Sequence, residues 1–126
     1  MTKIAKQEYL NSCRKVLEEE QTISLSQTNN WEHVDREEVH QDWDSLYKEI
    51  AQHIDVKEPN INEIQKLIQM HYKIACRFYI PTKKAYIGMG LFYNDNNDMK
   101  EFHNTYHPKM AEFLGDAIYD YSENNL

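Results

Sequence analysis

Glycine, proline and cysteine are scarce in these 126 residues, numbering three, three and two. Glycine and proline punctuate turns, so a chain with so few of them has little capacity for hairpins or many-stranded architectures. The two cysteines, Cys13 and Cys76, lie far apart and make neither a disulfide framework nor a metal-type cluster, which fits a reducing cytoplasm. Basic charge is also in deficit. Fourteen Lys and Arg against 21 Asp and Glu leave a net charge of −7. Such a surface repels phosphate backbones and anionic lipid, so neither nucleic acid nor a membrane is an expected partner. No apolar run reaches the length of a bilayer span, and "MTKIAKQEYLNS" has no hydrophobic signal core.

Helical periodicity fills what remains. Residues 3–20 predict a helix with Tyr9, Cys13, Val16 and Leu17 on a narrow face, followed by a polar linker from Glu20 to Trp31. A second helix begins at Asp35, with Glu38 completing a capping box, and its stripe runs Val39, Trp43, Leu46, Tyr47, Ile50 and Ile54. Asn60 and Glu63 predict the start of a third helix, whose broad apolar face carries Ile61, Ile64, Leu67, Ile68, Ile74, Ala75 and Phe78. His71 lies near the middle of that face. Pro81 is expected to end the helix, and a fourth starts near Thr82 with Tyr86, Met89 and Tyr93. "NDNND" reads as a turn before a short helix with Phe102 and Tyr106. Pro108 suits the first position of a last helix bearing Ala111, Leu114, Ala117, Ile118 and Tyr121. The expectation is one all-α domain, with residues 1–34 as an N-terminal helix and flexible lid segment and 35–126 as the ligand-binding core.

Catalytic and metal chemistry find little support. There is no phosphate-cradling glycine loop and no nucleophile elbow. His103 and His107 have a spacing that can hold zinc, but with no second ligand pair they read as two solvated histidines. "NDNNDMKEFH" begins like a calcium loop and lacks its glycine and its closing glutamate. Cys76 has no general base in sequence reach. No enzyme, metal or cofactor is expected.

Nine tyrosines stand against four phenylalanines, a lopsided choice for a dry core, because each buried hydroxyl needs a partner. The aromatics therefore admit two readings, packing or the wall of a wet-sided cleft. Gly88 and Gly90 admit two as well, close helix packing or room for a ligand against backbone. His71 reads as a satisfied core residue or as a cleft residue that hydrogen-bonds a ligand. Haem ligation lacks a second axial candidate. Trp43 belongs to the core stripe of its helix, whereas Trp31, in polar "TNNWEHVD", is either a staple on the second helix or a ring contributed by the lid.

The ordered set His71, Phe78, Tyr79, Gly88, Gly90, Tyr93, Phe102, Tyr106, Pro108, Leu114 and Ala117, with "DW" at Asp42 and Trp43, resembles the TipAS antibiotic-recognition domain over roughly residues 35–123. The resemblance implies a globin-like helical fold and a cleft for peptide antibiotics rich in azole or aryl rings. It also implies an N-terminal part that stays mobile until ligand arrives. TipAS domains occur at the C-terminus of MerR-type regulators and as stand-alone drug-binding proteins, and this chain leaves no room for the regulators' winged helix-turn-helix and coiled coil. Some members place a reactive cysteine two residues after the "FY" pair; here that position is Pro81, which excludes covalent capture there. The function expected is non-enzymatic binding and sequestration of ring-rich peptide or aryl natural-product antibiotics. Candidate ligand-binding residues are Trp31, Tyr47, His71, Tyr72, Tyr79, Tyr86, Met89 and Tyr93. The alternative is a regulatory module whose groove receives a helix or peptide of a separate regulator protein.

Overall fold

Asp35 opens a helix where the sequence predicts one: its carboxylate accepts the backbone N–H of Glu38 at 3.1 Å, satisfying a donor that the first helical turn leaves unpaired. Thr82 does the same for a later helix by accepting from the Ala85 N–H. A computed structural model describes residues 3–126. Its order is α1 (Lys3–Gln27), α2 (Arg36–Ala51), α3 (Asn62–Ala75), α4 (Lys83–Asp95), α5 (Asn97–Asn104) and α6 (Met110–Asn125), with no strand among the described residues. No helix there is long and apolar enough to cross a membrane.

The predicted stripes meet in one core. Val39, Leu46 and Ile50 of α2 join Ile64, Leu67, Ile68 and Ile74 of α3 and Leu114, Ala117 and Ile118 of α6. Their burial removes apolar surface from water at about 25 cal/mol per Å², the main force holding the helices together. The second seam is built on α4, which packs against both α1 and α6. A Cβ at Gly88 would lie 2.5 Å from the Cys13 carbonyl oxygen and 2.9 Å from Leu17 Cβ. One at Gly90 would lie 3.3 Å from Gly115 Cα and from Ile118. Between packing and ligand room, the geometry therefore assigns both glycines to helix crossings too close for a side chain.

Four boundaries differ from the sequence expectation. α1 continues to Gln27, through most of the segment read as a linker. Buried Leu17 and Ser24 keep one edge of it on the protein although the outer face is polar. α3 opens with Ile61 as a cap lacking a side-chain bond, so the Asn60–Glu63 box does not form; instead the Gln65 amide donates to the Pro59 carbonyl at 2.9 Å. The same helix ends at Ala75, well before Pro81, which leaves Phe78 and Tyr79 on the connection to α4. α6 starts at Met110, two residues beyond Pro108.

Between α1 and α2 the chain reverses through three consecutive left-handed residues, Asn29, Asn30 and Trp31, with φ of 50°, 60° and 60°. Asparagine tolerates this region, whereas a tryptophan there costs about 1–2 kcal/mol. Opposing bonds hold the reversal. The Trp31 backbone N–H donates to Thr28 Oγ1 at 3.0 Å and its indole N–H to Ser24 Oγ at 2.9 Å. Arg36 donates to the Asn30 carbonyl at 2.6 Å, and His33 Nε2–H is shared between the carbonyls of Arg77 and Phe78 at 3.0 and 3.1 Å.

Candidate functional site

The early end of α3 and the left-handed turn after α1 bring aromatic rings to a common space. A cavity of about 240 Å³ opens there, walled by Leu17 and Gln21 of α1, Trp31, Trp43 of α2, Phe78 and Tyr79 past α3, and Met89 and Tyr93 of α4, with Pro81 at its edge. Trp31 meets Phe78 edge-on at 4.9 Å between ring centroids, and Trp43 lies nearly parallel to Phe78 at 6.0 Å and 14°. No lining residue carries a formal charge. By contrast, the roomier groove of about 570 Å³ between α1, α4 and α6 mixes Leu10, Ile87 and Leu91 with the charged Lys6, Arg14, Asp95, Glu112, Asp116 and Asp120.

Two residues of this wall each carry a polar atom that is fully buried and has no partner in the protein, Trp43 Nε1 and Tyr79 Oη. An unpaired buried donor costs about 1–3 kcal/mol. Indole N–H can only donate. Burial, and secondarily the charge of Glu20, pushes the Tyr79 hydroxyl up to about 12, so it too keeps its proton near neutrality.

Directly behind Trp43 the polar groups are satisfied. His71, wholly buried, stacks on the Trp43 ring at 5.4 Å and 27°. Its Nε2 lies 3.2 Å from the Tyr47 hydroxyl and 3.4 Å from that of Tyr93, and its Nδ1 lies 2.8 Å from the Tyr86 hydroxyl. Tyr47 Oη also contacts His103 Nε2 at 3.2 Å, and His103 Nδ1 contacts the Met99 carbonyl at 2.7 Å. The carbonyl can only accept, so His103 is protonated at Nδ1 and its Nε2 must accept from Tyr47 O–H. Around His71 both tautomers find partners, because Nε2 faces the hydroxyls of Tyr47 and Tyr93, and Nδ1 faces the Tyr86 hydroxyl, which also reaches the Ile68 carbonyl at 3.5 Å. Burial, with nearby His103 as a smaller cause, pushes His71 down to about 3, and burial also lowers His103, opposed by its bond to Met99. Both imidazoles are neutral at pH 7.

Of the eight candidate residues, Trp31, Tyr79, Met89 and Tyr93 stand at the cavity wall. Tyr47, His71 and Tyr86 lie behind it in the hydrogen-bonded row, with Tyr86 fully buried. Tyr72 is elsewhere: its hydroxyl donates to the Pro81 carbonyl at 3.0 Å and its ring packs on Tyr86 and Tyr121. His103 corrects the sequence reading, being buried rather than solvated, because Tyr47 from a distant helix supplies its partner. His107 pairs with Asp55 at 3.0 Å. Sequence reasoning missed Trp43, Phe78 and Gln21 as wall residues. Trp43 and Phe78 obey the core periodicity of their segments, and nothing in a sequence marks an indole N–H that will lack a partner.

The arrangement can hold a molecule. No group of His, Cys, Asp and Glu suited to a metal occurs among the described residues. The Cys76 thiol, raised by burial, does not line the cavity. Against known proteins, the sequence model of the TipAS antibiotic-recognition domain matches residues 3–121. No curated protein and no solved structure matches the chain. The match spans nearly all of the sequence, agrees with the strand-free six-helix architecture, and shows that the chain belongs to the TipAS family of antibiotic-recognition domains.

Proposed function

We propose that this protein binds and sequesters ring-rich peptide or aryl antibiotics in the cavity between Trp31, Trp43 and Tyr79, without altering them chemically. The observation that carries this reading is an uncharged cavity walled by the rings of Trp31, Trp43, Phe78 and Tyr79. Aromatic walls supply apolar burial and stacking. Trp31, Tyr79, Met89 and Tyr93 contact the guest, and Tyr47, His71 and Tyr86 hold the wall from behind.

At about 240 Å³ the cavity is smaller than the roughly 300–1,000 Å³ of sites that enclose drug-sized ligands. A large antibiotic therefore enters by one ring-bearing end, or the segment through Val34 swings aside and closes again over it. Binding is reversible, because Pro81 stands at the cavity edge where some family members carry a reactive cysteine.

The test is a thermal-shift screen with thiopeptides and aryl-amide antibiotics. A ligand at one hundred times its Kd stabilises the fold by about 2.7 kcal/mol, which is readily seen as a higher Tm. Intact-mass spectrometry on the hits should show no adduct surviving denaturation. If no compound of either class moves the Tm at high micromolar concentration, the reading fails.

A further inference from the structure

A groove of about 410 Å³ runs between α2 and α3 and shares no lining residue with the aromatic cavity. The two helices are antiparallel, since Asp42 reaches Arg77 at 2.6 Å and Tyr47, further along α2, reaches the earlier His71. The α2 wall carries Asp42 and Glu49, the α3 side carries Lys73 and Arg77, and Leu46 and Ile74 form the floor. Every acid stands on one wall and every base on the other. Met70 joins the basic wall with 53% of its surface exposed, and its flexible thioether suits filling the gaps of another surface. Asp42 and Arg77 neutralise each other at one end. Glu49 and Lys73 have no ion-pair partner among the described residues.

Charge complementarity narrows the occupant. A basic segment would suit Asp42 and Glu49 but be repelled by Lys73 and Arg77, and an acidic segment would meet the reverse. A partner must therefore carry an acidic row beside a basic row, with an apolar strip between them. The walls of the groove itself have that pattern. In a two-fold dimer the same patch meets itself, residue i against residue j and j against i. An axis lying along the groove sets each acidic wall on the basic wall of the second copy. An axis across the groove would set acid on acid and base on base. Charge selects the first arrangement.

We infer that this groove is a self-association face, on which a second copy of the chain docks about a two-fold axis parallel to α2 and α3. Glu49 of each copy pairs with Lys73 of the other, and each Met70 covers the Leu46–Ile74 floor of the opposite groove. Two helix pairs make a small interface of the class that holds transient partners, so the expected Kd is about 10–100 µM. No residue lining the aromatic cavity lines this groove, so the dimer leaves that cavity open.

Sedimentation equilibrium of the full chain over roughly 5–500 µM, a range that brackets the expected Kd, should show the mass rising toward that of a dimer. Glu49→Lys and Lys73→Glu each place like charges at both symmetric contacts, so either variant alone should dimerise at least about tenfold more weakly. Mixed in equal amounts, the two reversed chains should form a heterodimer of near wild-type affinity, because every Lys at the two positions then meets a Glu. A purely structural role for these residues would give no such rescue between chains. Both positions are exposed, and circular dichroism checks that each variant is folded. A wild type that stays monomeric throughout, a dimer indifferent to both reversals, or a mixture that fails to recover would each overturn the inference. A monomeric wild type that instead binds a synthetic helix with one acidic and one basic edge would assign the groove to a foreign partner, and would overturn it equally.

Discussion

Tyr86 and Tyr79 are seven residues apart, and both bury a hydroxyl. The first lies 2.8 Å from His71 Nδ1 in a row of paired groups; the second has no partner in the protein. The buried row and the aromatic cavity share a wall, since Trp43 stacks on His71 on one side and lines the cavity on the other. Both regions are built from tyrosine, tryptophan and histidine. What separates them is hydrogen-bond satisfaction. Most buried polar groups find a complement within the chain, although Ser122 Oγ and Gln65 Oε1, away from the cavity, also lack one.

That contrast is broken most severely at His71. Replacement by Leu removes a hydrogen-bond partner of Tyr86 and of Tyr47, leaving two buried hydroxyls short of partners. The expected loss is about 3–5 kcal/mol of stability, or roughly 10–20 °C in Tm, read by thermal denaturation. A loss below 1 kcal/mol would show that the row is decoration on an apolar core.

Acid probes the same row without mutation. The folded state holds His71 at about 3 against an ordinary 6.5, so the unfolded chain binds the extra proton. Its contribution is complete above pH 6.5 and is lost progressively as pH falls toward 3, reaching about 3 kcal/mol by pH 4 at 1.36 kcal/mol per unit. Groups facing the imidazole are Tyr47, Tyr86, Tyr93, Trp43 and His103, none of them a carboxylate that could offset this. Denaturant titrations at pH 7 and 4, compared with the same pair for His71→Leu, isolate the histidine's share. An equal pH effect in both proteins would refute it.

Tyr86→Phe should cost about 1–3 kcal/mol, because His71 Nδ1 is left buried without a partner. Tyr79→Phe should change stability by no more than about 0.5 kcal/mol, since no internal bond is broken. The pair is the sharpest form of the comparison: the same atom deleted from two buried tyrosines. If Tyr79→Phe is as destabilising as Tyr86→Phe, its hydroxyl has a structural partner.

Sequence pattern located the helices where local rules act alone. Asp35 and Thr82 cap as expected because a cap needs only a side chain and the next turn, and the α3 stripe through Ile64, Ile68 and Ile74 is a statement about one helix face. The misread parts depend on residues far away in the chain. α1 continues to Gln27 with Leu17 and Ser24 buried against the rest of the protein, which no count of apolar residues in α1 reveals. His103 is buried because Tyr47 reaches it across 56 positions. The site was half legible: the aromatic crowd between His71 and Tyr93 was visible, but spacing cannot say which hydroxyls will be paired. Trp43 shows the limit, since it satisfies the core pattern and serves the cavity with the same ring.

The Met99 carbonyl fixes the proton of His103 on Nδ1, and the burial of both imidazoles makes the row a spectroscopic instrument. His103 Nδ1–H and the ring N–H of His71 are shielded from solvent exchange and should give distinct, slowly exchanging nitrogen-attached resonances. His71 sits in the ring current of Trp43 at 5.4 Å, whereas His103 does not stack on that indole. A guest that shifts or tilts the Trp43 ring would move the His71 resonance and leave that of His103 nearly still, so the protein carries its own gauge of occupancy one layer beneath the site.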